Sequence, residues 1–200
     1  KIDTLKKIDE YVVQTLDRLD ELSGQEGDLI GLSSGFKAVD GITQGLQDED
    51  LIVVAGRPSM GKTSFAMNIA ENVAKSEDGC VAVFSLEMSS QSLTARMMAS
   101  MAGISQQNVK GANLTDRQWE KIVKQSAKLK ELDIYIDDTA NISPIEIRAK
   151  ARRLAKQYRD KGGLNLVVID YIQLMQMPGR TENRVNELSD ISRALKGLAK

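Results

Sequence analysis

Residues 51–63 read LIVVAGRPSMGKT, an apolar run followed at once by a loop that is bounded by glycines. The part from Gly56 to Thr63 fits the pattern G-x-x-x-x-G-K-[ST] at every position. The apolar run predicts a buried strand over 51–55, and the residues after the loop predict a helix over 62–76. A strand before this pattern and a helix after it are the context that indicates a phosphate-binding loop.

The loop residues have separate expected roles in binding a nucleoside triphosphate and Mg²⁺. Gly56 and Gly61 let the backbone wrap its N–H groups around phosphate oxygens, and the helix start adds partial positive charge. We expect Lys62 to reach the β- and γ-phosphates and the Thr63 hydroxyl to coordinate Mg²⁺. The predicted site for ATP, or another nucleoside triphosphate, is one continuous segment: Gly56, Arg57, Pro58, Ser59, Met60, Gly61, Lys62, Thr63 and Ser64.

Further along the chain, short apolar runs alternate with longer helical patterns. The predicted strands are 51–55, 81–84, 134–136 and 164–169. The predicted helices lie near 62–76, 90–102, 115–131 and 144–160. This alternation predicts an α/β domain whose largely parallel sheet is covered by helices on both faces.

Asp170 ends the apolar run 164–169, so its carboxylate is expected at the carboxyl edge of the sheet, beside the phosphate loop. Buried strands often end in Asp at a turn, and alone this pattern is weak. With a full phosphate loop upstream, we interpret Asp170 as the carboxylate that holds Mg²⁺, directly or through a water.

Hydrolysis also needs a group that activates water, and many such enzymes carry a carboxylate directly after the Asp. Tyr171 occupies that place here. Glu87 follows the strand 81–84 and is the candidate general base, acting through one water. The alternative is that Glu87 stabilises the start of helix 90–102. Because Ser89 and Ser90 already offer that cap, we favour catalysis.

Composition excludes several classes of site. The 200 residues include 27 Lys and Arg against 28 Asp and Glu, one Cys and no His. A disulfide framework, a Cys- or His-based zinc site and His-dependent catalytic sets are therefore excluded. No apolar run approaches the roughly 20 residues of a membrane span and no signal peptide is visible, so we expect a cytoplasmic protein without a membrane partner.

Two charged segments remain open to interpretation. Residues 1–22 have the pattern of an amphipathic helix, which is either a surface helix of the following domain or a docking arm for another subunit. The basic cluster 148–161 is placed around its helix rather than along one stripe. We interpret that cluster as a solvated face that complements the helix dipole.

Taken together, these motifs resemble the motor domain of DnaB-type replicative helicases, which are RecA-like ATPases. The resemblance extends over essentially the whole chain. It is carried by these segments: 31–36 with Asp40, 56–63, Ser85-Leu86-Glu87-Met88, 168–175, 179–184 and 187–193.

The resemblance implies an ATP-hydrolysing motor of a homo-hexameric helicase that moves on single-stranded DNA. It makes Lys62, Glu87 and Asp170 the catalytic residues, and Thr63 and Asp170 the Mg²⁺ ligands. Arg180 and Arg184, in a basic loop, are the implied DNA contacts, although a solvated surface loop explains either arginine nearly as well. A primase and a helicase loader are the further implied partners.

The resemblance also implies boundaries and a gap in the sheet. Residues 1–24 become a linker helix that packs on the neighbouring subunit, and 25–200 become the ATPase domain. In such domains another strand lies between 51–55 and 164–170, and we expect it, the polar sensor and the arginine finger beyond residue 200. Direct pairing of those two strands would contradict this topology. The alternatives are a RecA- or KaiC-like ring or filament ATPase and a nucleotide-binding assembly scaffold with little turnover.

Overall fold

The computed structural model describes residues 7–23, 29–175 and 184–200. Three strands lie in this part of the chain: β1 (Cys80–Ser85), β2 (Ile134–Asp137) and β3 (Leu164–Asp170). The helices in chain order are α1 (Ile8–Ser23), α2 (Lys37–Thr43), α3 (Lys62–Ser76), α4 (Ser90–Ala102), α5 (Gln106–Lys110), α6 (Asp116–Lys130), α7 (Pro144–Gln157) and α8 (Arg184–Ala199). A short 3₁₀ helix, Ile172–Leu174, follows β3.

The sheet is parallel throughout and has the strand order β2-β1-β3. The register places Ser85, the last residue of β1, opposite Asp170, the last residue of β3. The carboxyl ends of both strands therefore meet at one edge of the sheet. Asp170 lies at this edge, and Glu87 follows β1 there, so two of the predicted site residues share it.

Helices cover both faces of the sheet, as the sequence predicts. Alternate residues of β1 enter two separate cores, because neighbouring side chains of a strand point to opposite faces. On one face Val81 and Val83 pack with residues of α3 and α4. On the other face Ala82 and Phe84 pack with residues of α7 and α8. All six residues of β1 are buried, so this strand is the centre of the domain.

The prediction of a buried strand over 51–55 is wrong for the chain as it folds here. The segment carries no regular secondary structure, and Ile52 and Val53 are 52% and 68% exposed. A strand requires a hydrogen-bonded neighbour, and within the described residues β3 pairs only with β1. The direct pairing of 51–55 with 164–170 that would contradict the expected topology is therefore not made.

The predicted helices form, and two of them, α6 and α7, begin at a capping box. The Ser143 hydroxyl accepts a hydrogen bond from the Glu146 backbone N–H (3.3 Å), and the Glu146 carboxylate accepts one from the Ser143 N–H (2.8 Å). Thr115 and Gln118 form the same reciprocal capping box at the start of α6. The short helices α2 and α5 are not predictable in this way, since seven and five residues are too few to show a helical period.

A buried polar cluster attaches α3 to the segment that precedes the phosphate loop. The Asp40 carboxylate accepts hydrogen bonds from the Ser33 and Ser34 hydroxyls at 2.7 and 2.6 Å and from the Ser34 N–H at 2.9 Å. Burial raises the pKa of Asp40, but these hydrogen bonds outweigh burial and hold that pKa below its ordinary value. Asn72, on α3, donates to the Ser34 carbonyl (2.9 Å). The cluster thereby fixes the helix whose first turn follows the loop.

Cys80, the single cysteine, is buried and forms no disulfide. Burial first, and then the nearby Asp133 carboxylate, raise the pKa of its thiol to about 11. The thiol is therefore protonated at neutral pH and unreactive. None of the described helices is long and apolar enough to cross a membrane.

Candidate active site

The loop between residue 55 and α3 leaves the first backbone N–H groups of the helix available. Gly61 is the N-cap of α3 with φ 88°, and no side chain caps the helix there. Without a cap, the N–H groups of the first helical turn have no partner within the helix. They carry the partial positive charge of the helix start, which favours an anion.

The loop itself is exposed and includes one residue in an unfavourable backbone conformation. Ser59 has φ 63°, in the left-handed region that costs an L-residue about 1–2 kcal/mol. The Met60 N–H donates to the Arg57 carbonyl (3.3 Å) and closes a tight turn. Strain of this kind concentrates at ligand-binding loops, where it holds backbone groups in a binding orientation.

Lys62 folds back over the loop. Its Nζ donates to the Gly56 carbonyl at 2.7 Å, so the ammonium lies at the first residue of the loop. A Cβ at Gly56 would lie 3.4 Å from the Lys62 Cγ, which shows that the lysine stem lies against the first residue of the loop. The positive charge thus lies beside the same loop as the free helix N–H groups.

Thr63 and Asp170 are 107 positions apart in the chain, and the fold brings them into direct contact. The Thr63 hydroxyl donates to the Asp170 Oδ2 at 2.7 Å. Asp170 is only 8% exposed, and its backbone carbonyl accepts a hydrogen bond from the Leu86 N–H (2.7 Å). This contact ties the start of α3 to the carboxyl end of β3.

The donors at this point suit Mg²⁺. Mg²⁺ prefers oxygen ligands and is commonly held by one or two carboxylates together with substrate phosphates, keeping several waters. Thr63 and Asp170 supply a hydroxyl and a carboxylate beside a phosphate loop. Within the described residues no group of three or more carboxylate, thiol or imidazole side chains could hold a metal by itself. The site therefore fits an ion that arrives with a nucleotide.

Glu87 lies in the turn that follows β1, at the same edge of the sheet. The Ser85 hydroxyl fixes this turn because it donates to the Met88 carbonyl (2.8 Å) and accepts from the Met88 N–H (3.3 Å). Glu87 is exposed, and within the described part of the chain its carboxylate has neither a hydrogen bond nor an ion pair. Its carboxylate is therefore open to a substrate or a water.

The competing role for Glu87, capping α4, is filled by other residues. The Ser89 hydroxyl accepts from the Ser92 N–H (3.2 Å), and the Asp138 carboxylate accepts from the Ser90 N–H (2.7 Å). The Ser90 hydrogen bonds lower the pKa of Asp138. Sequence analysis missed Asp138, although an Asp pair at the end of a predicted strand was a signal for a residue at this edge.

The two arginines predicted to contact DNA have different outcomes. Arg180 lies outside the described residues. Arg184 is the first residue of α8, where it forms an ion pair with Glu187 and donates to the carbonyls of Gln173 and Met175, the latter at 3.2 Å. The guanidinium of Arg184 therefore fastens α8 to the segment after β3, and a DNA contact by this residue stays a prediction.

A comparison with known families now determines the family of this chain. The model of the DnaB-like helicase C-terminal domain matches residues 31–200. The chain belongs to this family. The match begins ahead of the Asp40 cluster and includes the phosphate loop, Glu87 and Asp170.

Curated DnaB relatives agree with this assignment. The Bacillus subtilis replicative DNA helicase DnaC is 45% identical over 196 residues, which are 98% of this chain and 42% of that protein. The Geobacillus stearothermophilus replicative DNA helicase DnaB is 46% identical over 196 residues, again 98% and 42%. The chain thus spans less than half the length of these relatives.

Two solved structures have the same fold as this DnaB-family chain. One is a solved ATPase domain, which superposes with a TM-score of 0.86 at 31% identity and covers 98% of this chain and 67% of that one. The other is a DnaB-like replicative helicase, described together with its interactions with primase, which gives a TM-score of 0.85 at 32% identity and covers 96% and 46%. The fold is therefore the RecA-like ATPase fold that the sequence predicts.

Proposed function

We propose that this chain is the ATP-hydrolysing motor of a hexameric replicative DNA helicase, which moves along single-stranded DNA and unwinds duplex. The observation that carries the proposal is the 2.7 Å contact between Thr63 and Asp170 at the start of α3. It places one hydroxyl and one carboxylate beside an uncapped helix start, at the edge where Glu87 is free. Family membership supports the same interpretation.

Each residue has a distinct part in the proposed reaction. The free N–H groups at the start of α3 and the Lys62 ammonium bind the triphosphate and offset its charge. Thr63 and Asp170 would hold Mg²⁺, which supplies charge neutralisation at the phosphates when bound. Glu87 orients a water and accepts its proton as the water attacks the γ-phosphorus, while the bond to the β–γ bridging oxygen breaks and ADP leaves.

The test is ATP hydrolysis by this chain and by a longer chain, each measured with and without a single-stranded oligonucleotide. We expect hydrolysis that single-stranded DNA stimulates, and strand separation of a forked duplex by the longer chain. A nucleotide-binding scaffold would bind ATP with negligible turnover under every condition. A RecA- or KaiC-like ATPase would hydrolyse ATP without separating strands.

We further propose that α1 assembles the hexamer by packing on the neighbouring subunit. Its apolar residues lie in one stripe, and they are exposed: Ile8 74%, Val12 49%, Leu16 59% and Leu19 57%. Contacts of α1 with the other described elements are marginal. Such a stripe is the usual buried face of an amphipathic helix, so a second copy of the chain is the proposed partner.

Replacing Leu16 and Leu19 together with Asp should therefore convert the assembled protein into monomers, because two charges would enter the proposed interface. Molar mass by light scattering across a concentration series measures the change. The matched control is Gln14→Asp, which adds charge on the opposite face of the same helix and should leave the mass unchanged. Assemblies of equal mass in all three proteins would contradict the role of α1.

The remaining partners belong to the same proposal. The chain would act in the cytoplasm, use single-stranded DNA as its track, and meet a primase and a helicase loader in its longer form. The primase is supported by the solved DnaB-like helicase that was described with its primase interactions. Arg180, in the segment before α8, and Arg184, the first residue of α8, remain the proposed DNA contacts.

A further inference from the structure

Helix α7 carries an unpartnered row of basic side chains. Arg148, Arg152 and Lys156 are spaced four residues apart, and all three are exposed. At 3.6 residues per turn and 1.5 Å per residue, they lie within an arc of about 80° along about 12 Å of the helix. Within the basic cluster 148–161 these three residues share one face of α7, and we call them the basic stripe.

The helix that carries the basic stripe is firmly held. Ile147 and Ala151, on another face of α7, are buried at 0% and 2% exposure, and Ile147 belongs to the core shared with α8 and the sheet. The capping box of Ser143 and Glu146 fixes its first turn. The three charges are thus presented on a rigid element, and little backbone ordering is left to oppose the binding of a ligand.

No carboxylate in the described part of the chain pairs with the basic stripe. Within the described residues, none of its three side chains forms an ion pair or a hydrogen bond, whereas Lys150 on another face of α7 pairs with Asp137. The segment 144–161 holds seven basic residues and only two acidic ones, in a chain whose formal net charge is −1. The segment is therefore strongly positive, whereas the chain as a whole is nearly neutral.

The chemistry of the basic stripe favours phosphate over a protein surface. Two of its three members are arginines, whose guanidinium groups bind phosphate oxygens in pairs. Protein interfaces are usually anchored by buried aromatic or large apolar side chains, and on α7 only Ile145 at the first turn is an exposed large apolar residue. Phosphate contacts by contrast need only a row of cations.

We propose that the basic stripe of α7 binds the phosphodiester backbone of DNA, in addition to the contacts proposed for Arg180 and Arg184. This inference rests on the proposed function, because it supposes that the chain works on DNA. The proposed contacts are to phosphates alone, so the binding is independent of base sequence. Each member neutralises about one phosphate.

The test compares two triple variants of equal charge change. One replaces Arg148, Arg152 and Lys156 with Gln. The matched control replaces the exposed lysines Lys121, Lys124 and Lys128 of α6 with Gln. Affinity for a fluorescent oligothymidylate, for a duplex of equal length and for a fork of the two is measured by anisotropy between about 50 and about 200 mM salt.

We expect the α7 variant to bind at least one of these DNAs about tenfold more weakly at the lower salt concentration. Its slope of log affinity against log salt should fall by about 2–3, since each lost phosphate contact removes roughly 0.7–0.9. The α6 control should keep the parent's affinity and slope. The DNA whose affinity falls shows whether the basic stripe binds a single strand or a duplex.

Equal affinities and slopes in the two variants and the parent would overturn the inference while leaving the motor proposal intact, provided that DNA still stimulates ATP hydrolysis. A parent chain that binds none of the three DNAs would overturn both. Loss of binding to polyglutamate by the α7 variant, with DNA affinity unchanged, would show that the basic stripe binds an acidic protein surface and would also overturn the inference.

Discussion

Replacing Glu87 with Gln is expected to lower ATP turnover by about 10²–10⁴-fold while nucleotide affinity stays close to that of the parent. The amide has nearly the shape of the carboxylate but cannot accept a proton from the attacking water. Glu87 is exposed and its carboxylate has no hydrogen bond or ion pair within the described residues, so its replacement removes no polar contact that supports the fold.

Binding and turnover must be measured separately to assign this role. Turnover is followed as phosphate release and affinity by titration with a fluorescent ATP analogue, at the same Mg²⁺ concentration. Glu120→Gln is the matched control, since Glu120 is an exposed carboxylate on α6, away from the turn after β1. Unchanged turnover in Glu87→Gln would show that another group activates the water.

Measuring nucleotide binding and turnover separately also distinguishes a catalytic role of Glu87 from a structural one. Ser89 and Asp138 already cap α4, so a loss of stability on replacing Glu87 is not expected. A variant that unfolded at lower denaturant concentration and lost binding and turnover together would indicate a supporting role. The predicted result is a loss of turnover alone.

The candidate residues of this site could be identified from the sequence because each of them lies in a local sequence pattern. The phosphate loop is a continuous pattern, and Asp170 and Glu87 each end an apolar run. Parallel strands bring their carboxyl ends to one edge, which is enough to predict that both lie near the loop. In the structure, the register of β1 and β3 places Ser85 opposite Asp170, so the two strands end at the same edge.

The features that sequence analysis missed depend on contacts between distant segments. Asp138 caps a helix whose first residue lies 48 positions earlier. Arg184 has local and distant partners, and its bond to the Gln173 carbonyl could not be read from a basic loop pattern. The segment 51–55 has the composition of a strand, but a strand forms only when a neighbour supplies hydrogen bonds, and that neighbour is not set by the segment itself.

The second large effect is expected at Asp170. Replacing it with Asn should weaken Mg²⁺-dependent nucleotide binding about 10–100-fold, in line with the loss of an oriented group in a metal site. An amide oxygen can still accept the hydrogen bond from the Thr63 hydroxyl, so the link between α3 and β3 is kept. The substitution removes the negative charge of Asp170. In the described residues this carboxylate and the Thr63 hydroxyl are the proposed Mg²⁺ ligands, so the loss of the charge should weaken Mg²⁺ binding.

The decisive comparison is the affinity for the nucleotide with Mg²⁺ and with a chelator in its place. In the parent, removal of Mg²⁺ should weaken nucleotide binding. In Asp170→Asn, the affinities with and without Mg²⁺ should be nearly equal, because the carboxylate that would bind the ion is gone. Asp138→Asn is the matched control, a carboxylate at the end of β2 that bonds the start of α4 and should leave the Mg²⁺ dependence unchanged. Thr63→Val should weaken Mg²⁺ dependence in the same direction and, in addition, deprive the buried Asp170 of its partner, at a cost of about 1–3 kcal/mol in the free energy of unfolding. If Asp170→Asn kept the full Mg²⁺ dependence of the parent, the carboxylate would be a structural partner of Thr63 only, and the metal would have to be held from elsewhere.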